Sequence, residues 1–200
     1  MNWKDTGYLL SKNQYNENSV IAEIFTKNHG KISGIIFGAS SKKIKNYLQV
    51  GNKLHLNFNS KNDNRLGYIK VEIEEALTPF FFDNKQKLAC IVSAMNLVKL
   101  LTVESQENIN IYSLINNFFL LLKKIDWLKD FVFWELQLLK LIGYDLELKN
   151  IVDAEIVNGQ KQFFVKRNKE KKFIPNFLIE TENNKIDNKS IVNGLKLVGD

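Results

Sequence analysis

Lys53-Leu54-His55-Leu56-Asn57-Phe58-Asn59, followed after a polar stretch by Gly67-Tyr68-Ile69-Lys70-Val71-Glu72-Ile73-Glu74, decides how this 200-residue chain is read. In the first run Leu54, Leu56 and Phe58 fall on one side and Lys53, His55, Asn57 and Asn59 on the other. In the second, Ile69, Val71 and Ile73 oppose Tyr68, Lys70, Glu72 and Glu74. Successive strand side chains point to opposite faces, so a period of two marks a strand buried on one side. Ser60–Asn64 joins the runs, and Asn62, Asp63 and Asn64 favour a turn, so a hairpin is expected.

Working towards the N-terminus, Lys31–Phe37, Ser19–Thr26 and Thr6–Ser11 are three further β-prone runs, with Gly30, Gly34 and Gly38 punctuating the first. Five short strands in under eighty residues, with no helix long enough for a parallel crossover, predict a small closed or half-closed barrel. An OB-fold has that size and strand number, and an SH3-like barrel fits almost as well.

The pattern changes at Thr78–Pro79, which sets the expected boundary between a β domain over 1–78 and a helical domain over 79–200. Beyond it, apolar residues recur at helical spacing. One stripe is Leu88, Ile91, Val92, Met95 and Val98, and a second runs Ile111, Leu114, Ile115, Phe118, Leu121, Leu122, Ile125. A third helix, Leu128–Ile142, carries Phe131, Trp134, Leu138 and Leu141, with Gly143 placed to cap it. Three such stripes predict a helical bundle. Past Leu148 the chain turns polar, and Asn158–Gly159 between Ala154–Val157 and Gln162–Val165 predicts a two-stranded hairpin.

Catalytic chemistry is not expected. His29 and His55 are the only histidines, one beside a glycine and one on the polar side of a strand. Cys90 falls on an apolar helix face, where a buried structural thiol is the ordinary finding. Glu72, Glu74 and Glu75 close an alternating strand and read as a solvated edge. No phosphate-binding loop and no metal-ligand spacing occur, so neither cofactor nor metal is expected. The first twenty residues carry Lys4, Asp5, Lys12 and Glu17 without an apolar run, which predicts a cytoplasmic protein without a membrane span.

The formal net charge is +6. Its placement is more informative than its size, because from Lys27 to Asn62 there is no Asp or Glu. Charge runs are usually solvated faces. A window of this length without an acid points instead to an anionic partner. Lys27, Lys31, Lys42, Lys43, Lys45, Lys53 and Lys61 are the candidate phosphate contacts. Tyr8, Phe37, Tyr47 and Tyr68 are candidates to meet bases, although such aromatics also build barrel cores, Phe37 above all. A second basic run, Lys161, Lys166, Arg167, Lys169, Lys171 and Lys172, either extends that path or is a solvated hairpin. Only Arg65 and Arg167 accompany these lysines, so contacts to the backbone rather than base-specific ones are expected.

A set of short motifs in a fixed order resembles the RecO family of bacterial recombination mediators. Trp3-Lys4-Asp5-Thr6-Gly7-Tyr8-Leu9-Leu10 opens it, followed by Phe25-Thr26, His29-Gly30, Gly38, Lys42-Lys43, Leu48-Gln49 with Gly51, Leu66-Gly67 and Glu72. Trp134-Glu135-Leu136-Gln137-Leu138-Leu139 with Gly143-Tyr144 and Leu146-Glu147-Leu148 is the most family-specific stretch. Ile174-Pro175-Asn176-Phe177-Leu178 and Gly194-Leu195-Lys196-Leu197 continue it.

The resemblance implies an α+β protein, a five-stranded OB-fold barrel followed by a helical bundle domain with a small β-hairpin insertion, here 149–173. It further implies a non-enzymatic mediator of DNA repair that binds single- and double-stranded DNA and anneals complementary strands. Such a protein touches the acidic C-terminal tail of single-stranded DNA-binding protein and works with RecR to load RecA. The location would be the bacterial cytoplasm, near the nucleoid. Some members bind zinc through four cysteines in the insertion. This chain has one cysteine, and Asn150-Ile151 stands where the first ligand is often found, so the hairpin is expected to be a zinc-less remnant. Phe133 occupies a position where related sequences often carry Arg, and the chain stops at Asp200 where the family commonly continues. Tail recognition would then be weakened, or rest on Lys123, Lys124 or Lys129 around Phe133 and Trp134, with Trp127 and Phe131 nearby, unless these aromatics are core. Rival expectations are an OB-type RNA-binding protein and a protein–protein adaptor.

Overall fold

The alternating runs are strands, and they close on each other. The structure is a computed structural model and describes residues 1–60, 66–144, 147–157, 160–167, 170–179 and 188–199. Contacts divide the chain into two compact units, Met1–Phe119 and Leu120–Asp200.

In the first unit β1 (Asn2–Asn16), β2 (Ser19–Thr26), β3 (Gly30–Phe37), β4 (Lys53–Asn59) and β5 (Gly67–Glu75) form a closed barrel in the order β1-β2-β3-β5-β4. This is the OB-fold arrangement. β1 is longer than the Thr6–Ser11 expected from sequence, because polar residues at both ends mask its extent. Register shifts at Leu9/Ser11 and Gln14/Asn16 bend it, so that one strand pairs with β4 over Asn2–Tyr8 and with β2 over Gly7–Asn16. The parallel contact between β3 and β5 is short, at Gly34–Gly67 and Ile35–Tyr68. Both glycines are needed for close approach: a Cβ on Gly67 would lie 2.3 Å from the Phe58 ring, and one on Gly34 2.6 Å from Ile69.

The barrel interior holds Leu9, Ala22, Ile24, Ile36, Leu48, Leu54 and Leu56, with Phe58 and Ile73 packed against it. Burying each of these larger side chains contributes about 1.5–3 kcal/mol. A short helix that the periodicity did not reveal, α1 (Lys42–Tyr47), follows β3, and Ile44 and Tyr47 fix it to this core. A 3₁₀ turn at Thr78–Phe81 leads into α2 (Lys85–Leu101). That helix buries Ile91, Ala94, Met95 and Val98, while Val92, expected on the apolar face, is half exposed. α3 (Ile109–Leu121) buries Ile111, Leu114, Ile115 and Phe118. It ends a turn earlier than its stripe implied. The Lys123 and Lys124 amides tighten back onto the carbonyls of Leu120 and Leu121, and Ile125 is fully exposed.

In the second unit α4 (Trp127–Leu141), α5 (Leu148–Ile151) and α6 (Asn188–Gly199) accompany a sheet of β6 (Asp153–Val157), β7 (Gln160–Arg167) and β8 (Glu170–Ile174). The expected hairpin is therefore three-stranded. The charges of Glu170-Lys171-Lys172 hide the third strand, whose Ile174 joins Val132, Leu148, Phe163 and Leu178 in the core. The turns expected at Asn158–Gly159 and Asn62–Asn64 fall on residues outside those described.

Candidate nucleic-acid interface

Three of the predicted cations stand together on α1. Ser41 caps this helix by accepting from the Ile44 amide, and the chain then presents Lys42, Lys43 and Lys45 to solvent. None of the three has an ion-pair partner among the described residues. Lys43 Nζ lies 5.9 Å above the Tyr47 ring, which is half buried against the barrel. A fourth cation, absent from the sequence-based set, joins them. Lys12 on β1 donates from Nζ to the Leu48 carbonyl just past α1. Partial burial, and after it the charge of Lys45, hold the Lys12 ammonium below its ordinary pKa. Only the barrel's register brings residue 12 to residue 45, so no local pattern announces it.

Two other predicted cations have different work. Lys31 is buried, and its Nζ donates to the carbonyls of Lys99 at 2.7 Å and Thr102 at 2.6 Å. It therefore satisfies the C-terminal end of α2, where carbonyls lack partners and the helix dipole favours a cation. This corrects its assignment to the phosphate path. We expect Lys31→Met to lower the unfolding free energy by about 2 kcal/mol, as for a charged hydrogen-bond donor, with DNA affinity unchanged. Chemical denaturation beside a binding titration checks this; weakened binding at unchanged stability would return Lys31 to the interface.

Lys53 reaches Glu74 at 2.9 Å and Glu75 at 3.4 Å. Burial works most strongly against its charge, but its hydrogen bond to Glu74 together with the nearby Tyr112, Glu74 and Glu75 outweighs that and holds its pKa above the ordinary value. It is compensated within the fold. Lys27 is exposed in the β2–β3 turn, and Lys61 lies outside the described residues.

The aromatic candidates also separate, and of the two readings open for Phe37 the core one fails. Tyr8 is fully buried on the side of β1 facing α3, with its hydroxyl donating to Asn116 Oδ1 at 2.8 Å. Phe37, expected inside the barrel, is 59 % exposed and stacks on Tyr68, itself 46 % exposed, with ring centroids 5.3 Å apart. Ile36, not Phe37, points into the core, as strand alternation requires.

The opening motif has a structural role. Asp5 is buried and accepts from the Thr6 amide, from the Asn28 amide and side chain, and from His29 Nδ1 at 2.8 Å. Trp3 stacks on His29 at 3.7 Å and on Phe58 at 4.8 Å. Gly30 beside them has φ +65°, and a Cβ there would meet the Gln106 carbonyl at 2.0 Å. A cavity of about 580 Å³ adjoins this stack, but Glu104 and Glu107 line it, which disfavours phosphate.

In the second unit two lysines of the basic run meet acids. Lys166 pairs with Asp153 at 3.2 Å and Lys171 with Glu155, and both ammonium groups sit over the Phe164 ring. Lys161 lies over Phe163. The Arg167 side chain and Lys169 are outside the described residues. Among the predicted partner-binding residues, Trp134 is buried and stacks with Phe131, so it is core. Trp127 and Phe131 are buried too. Phe133 is the exception, 39 % exposed and edge-on to Phe177 at 5.9 Å. Lys123 is exposed, Lys129 half-buried, and Lys124 pairs with Asp130 at 2.7 Å.

Among the described residues, no three His, Cys, Asp or Glu side chains gather as metal ligands, and no helix is long and apolar enough to cross a membrane. Cys90, the single cysteine of the sequence, lies on α2.

Two family models match the sequence. Residues 1–76 match the model described as Recombination protein O N terminal, and residues 84–178 match Recombination protein O C terminal. Similar proteins include the DNA repair protein RecO of Rickettsia canadensis, 35% identical over 156 residues, covering 78% of this chain and 64% of that protein. Those of Rickettsia felis and Rickettsia bellii are each 36% identical, covering 74% of this chain and 62% and 61% of the relatives. The chain thus spans less than two thirds of the length of these relatives.

Proposed function

This chain belongs to the RecO family, and from that premise we propose that it is a non-enzymatic mediator of DNA repair and recombination. It binds single- and double-stranded DNA through its barrel, an OB-fold DNA-binding domain over 1–78, and anneals complementary strands. The observation that carries this reading is the group of lysines on α1, Lys42, Lys43 and Lys45, without an ion-pair partner among the described residues and within a stretch from Lys27 to Asn62 that has no acid. Lysines contact phosphate as point charges, without reading bases, which suits a protein that must act on any sequence. Cations gathered on one element lower the repulsion between two strands that approach each other there.

The helical domain over 79–200 serves partners. Phe133 with Lys123 and Lys129 offers an apolar anchor and cations to the acidic tail of single-stranded DNA-binding protein. RecR acts with the chain at the loading of RecA. Lys124, already paired, and Trp134, already buried, contribute less than the sequence suggested.

The test is the annealing rate of two complementary oligonucleotides, each coated with single-stranded DNA-binding protein, with and without the chain. Acceleration that weakens as salt rises is the expected result. Binding to bare strands without acceleration on coated ones would remove the mediator role and leave a DNA-binding protein; absence of any salt-sensitive binding would favour the adaptor.

A further inference from the structure

We propose that Phe37 and Tyr68 form a stacking platform for unpaired bases, so that the barrel holds single-stranded DNA by its bases as well as by its phosphates. The inference rests on the reading of the barrel as DNA-binding and assigns the residues that distinguish a single strand from a duplex.

The platform follows from the strand register. Ile35 pairs with Tyr68 across the parallel β3–β5 contact, so Tyr68 and Ile35 share the outer face, and Phe37, two residues on, shares it too. Ile35 is covered, whereas the rings of Phe37 and Tyr68 stand in solvent, 5.3 Å apart and inclined by 25°. Further along this face of β5 and β4 the outward residues are polar, Lys70 and Glu72 beside Asn57 and His55. Two large aromatics exposed side by side therefore need a reason that barrel packing does not supply.

Charge identifies the occupant. Lys70 lies two positions beyond Tyr68 on the same face and has no ion-pair partner among the described residues. Lys42 and Lys43 follow Phe37 after the turn that Ser41 closes. The acids on this face are occupied or set apart from the rings: Glu72 stands opposite His55, Glu74 pairs with Lys53, and Glu104 accepts from Ser33. Cations beside a pair of flat, exposed rings match the needs of a single strand: phosphates beside accessible bases. A duplex keeps its bases stacked inside, so only an unpaired strand uses the rings. Every base has a π face, so the contact is sequence-tolerant, as annealing of arbitrary strands requires.

The test uses the full chain, a single-stranded oligonucleotide carrying 2-aminopurine, and the matching duplex. In the Phe37→Ala/Tyr68→Ala variant, affinity for the single strand falls at least about tenfold, while duplex affinity and the salt dependence on both substrates stay at wild-type values. Binding quenches 2-aminopurine in the wild type and in Tyr68→Phe, and no longer does so in the double variant. Tyr68→Thr, a strand-favouring change, repeats the measurement should the double variant not fold. Equal losses on both substrates, or none on the single strand, overturn the platform and leave the lysine interface standing. Unaltered DNA binding with lost affinity for single-stranded DNA-binding protein would make this a protein-docking face, again overturning it. A wild-type chain that binds neither substrate overturns the functional reading and the platform together.

Discussion

Reversing Lys42, Lys43 and Lys45 together to glutamate is expected to weaken DNA binding by roughly 10²–10³-fold at about 0.1 M salt. Each lysine that neutralises a phosphate releases condensed counterions and contributes about 0.7 to the slope of log affinity against log salt on single strands, and about 0.9 on duplex. Three lost contacts flatten the slope by roughly two on single strands and nearly three on duplex. At a tenth of molar salt each unit of slope is a factor of about ten in affinity. The loss should be the same for every sequence, because lysine contacts to the backbone carry no base information. All three side chains are exposed and α1 is held by Ile44 and Tyr47, so folding is retained. An unchanged salt slope in a folded triple variant would remove α1 from the interface. Lys12→Glu supplies an independent check of the same surface, since its ammonium approaches Lys45 only through the barrel's register.

The barrel was legible because Leu54, Leu56 and Phe58, and then Ile69, Val71 and Ile73, alternate against polar partners, and one buried face suffices to fix a strand. β3 resisted the same treatment. Ile32 and Ile36 point inward, but Ile35 and Phe37 make its outer face apolar as well, so no period of two stands out and Phe37 passed for core. The lysines divide for a related reason. A sequence records that Lys31 and Lys42 are both cations, but not that one meets the carbonyl end of α2 and the other meets solvent. Lys53 could be suspected, since Glu74 and Glu75 end the strand paired with its own, and hairpin partners face each other. In the second unit the ion pair of Lys166 with Asp153 lies along the β6–β7 ladder, whereas that of Lys171 with Glu155 also needs β8, whose charged residues hide it in the sequence.

Glu135→Gln is expected to stabilise the protein by about 3 kcal/mol above neutral pH and to leave it almost unchanged in mild acid. Glu135 sits in the family-like Trp-Glu-Leu motif on α4, 8 % exposed, and its Oε2 has no hydrogen-bond partner among the described residues. Burial without compensation disfavours the carboxylate and raises its pKa from 4.5 to about 7. The native state therefore keeps a proton that the unfolded chain has already released. Stability from this group is full below pH 4.5, declines as pH rises, and is lost once pH passes about 7. Glutamine keeps the shape and stays neutral throughout, so it abolishes that decline. Urea unfolding near pH 5 and near pH 8, followed by tryptophan fluorescence from Trp127 and Trp134 beside it on α4, separates the outcomes. The wild type should lose ground to the variant as pH rises between them; a constant difference would mean that the carboxylate gains a compensating partner when it ionises. If the gap opens as expected, α4 carries a buried acid whose charged form destabilises the fold.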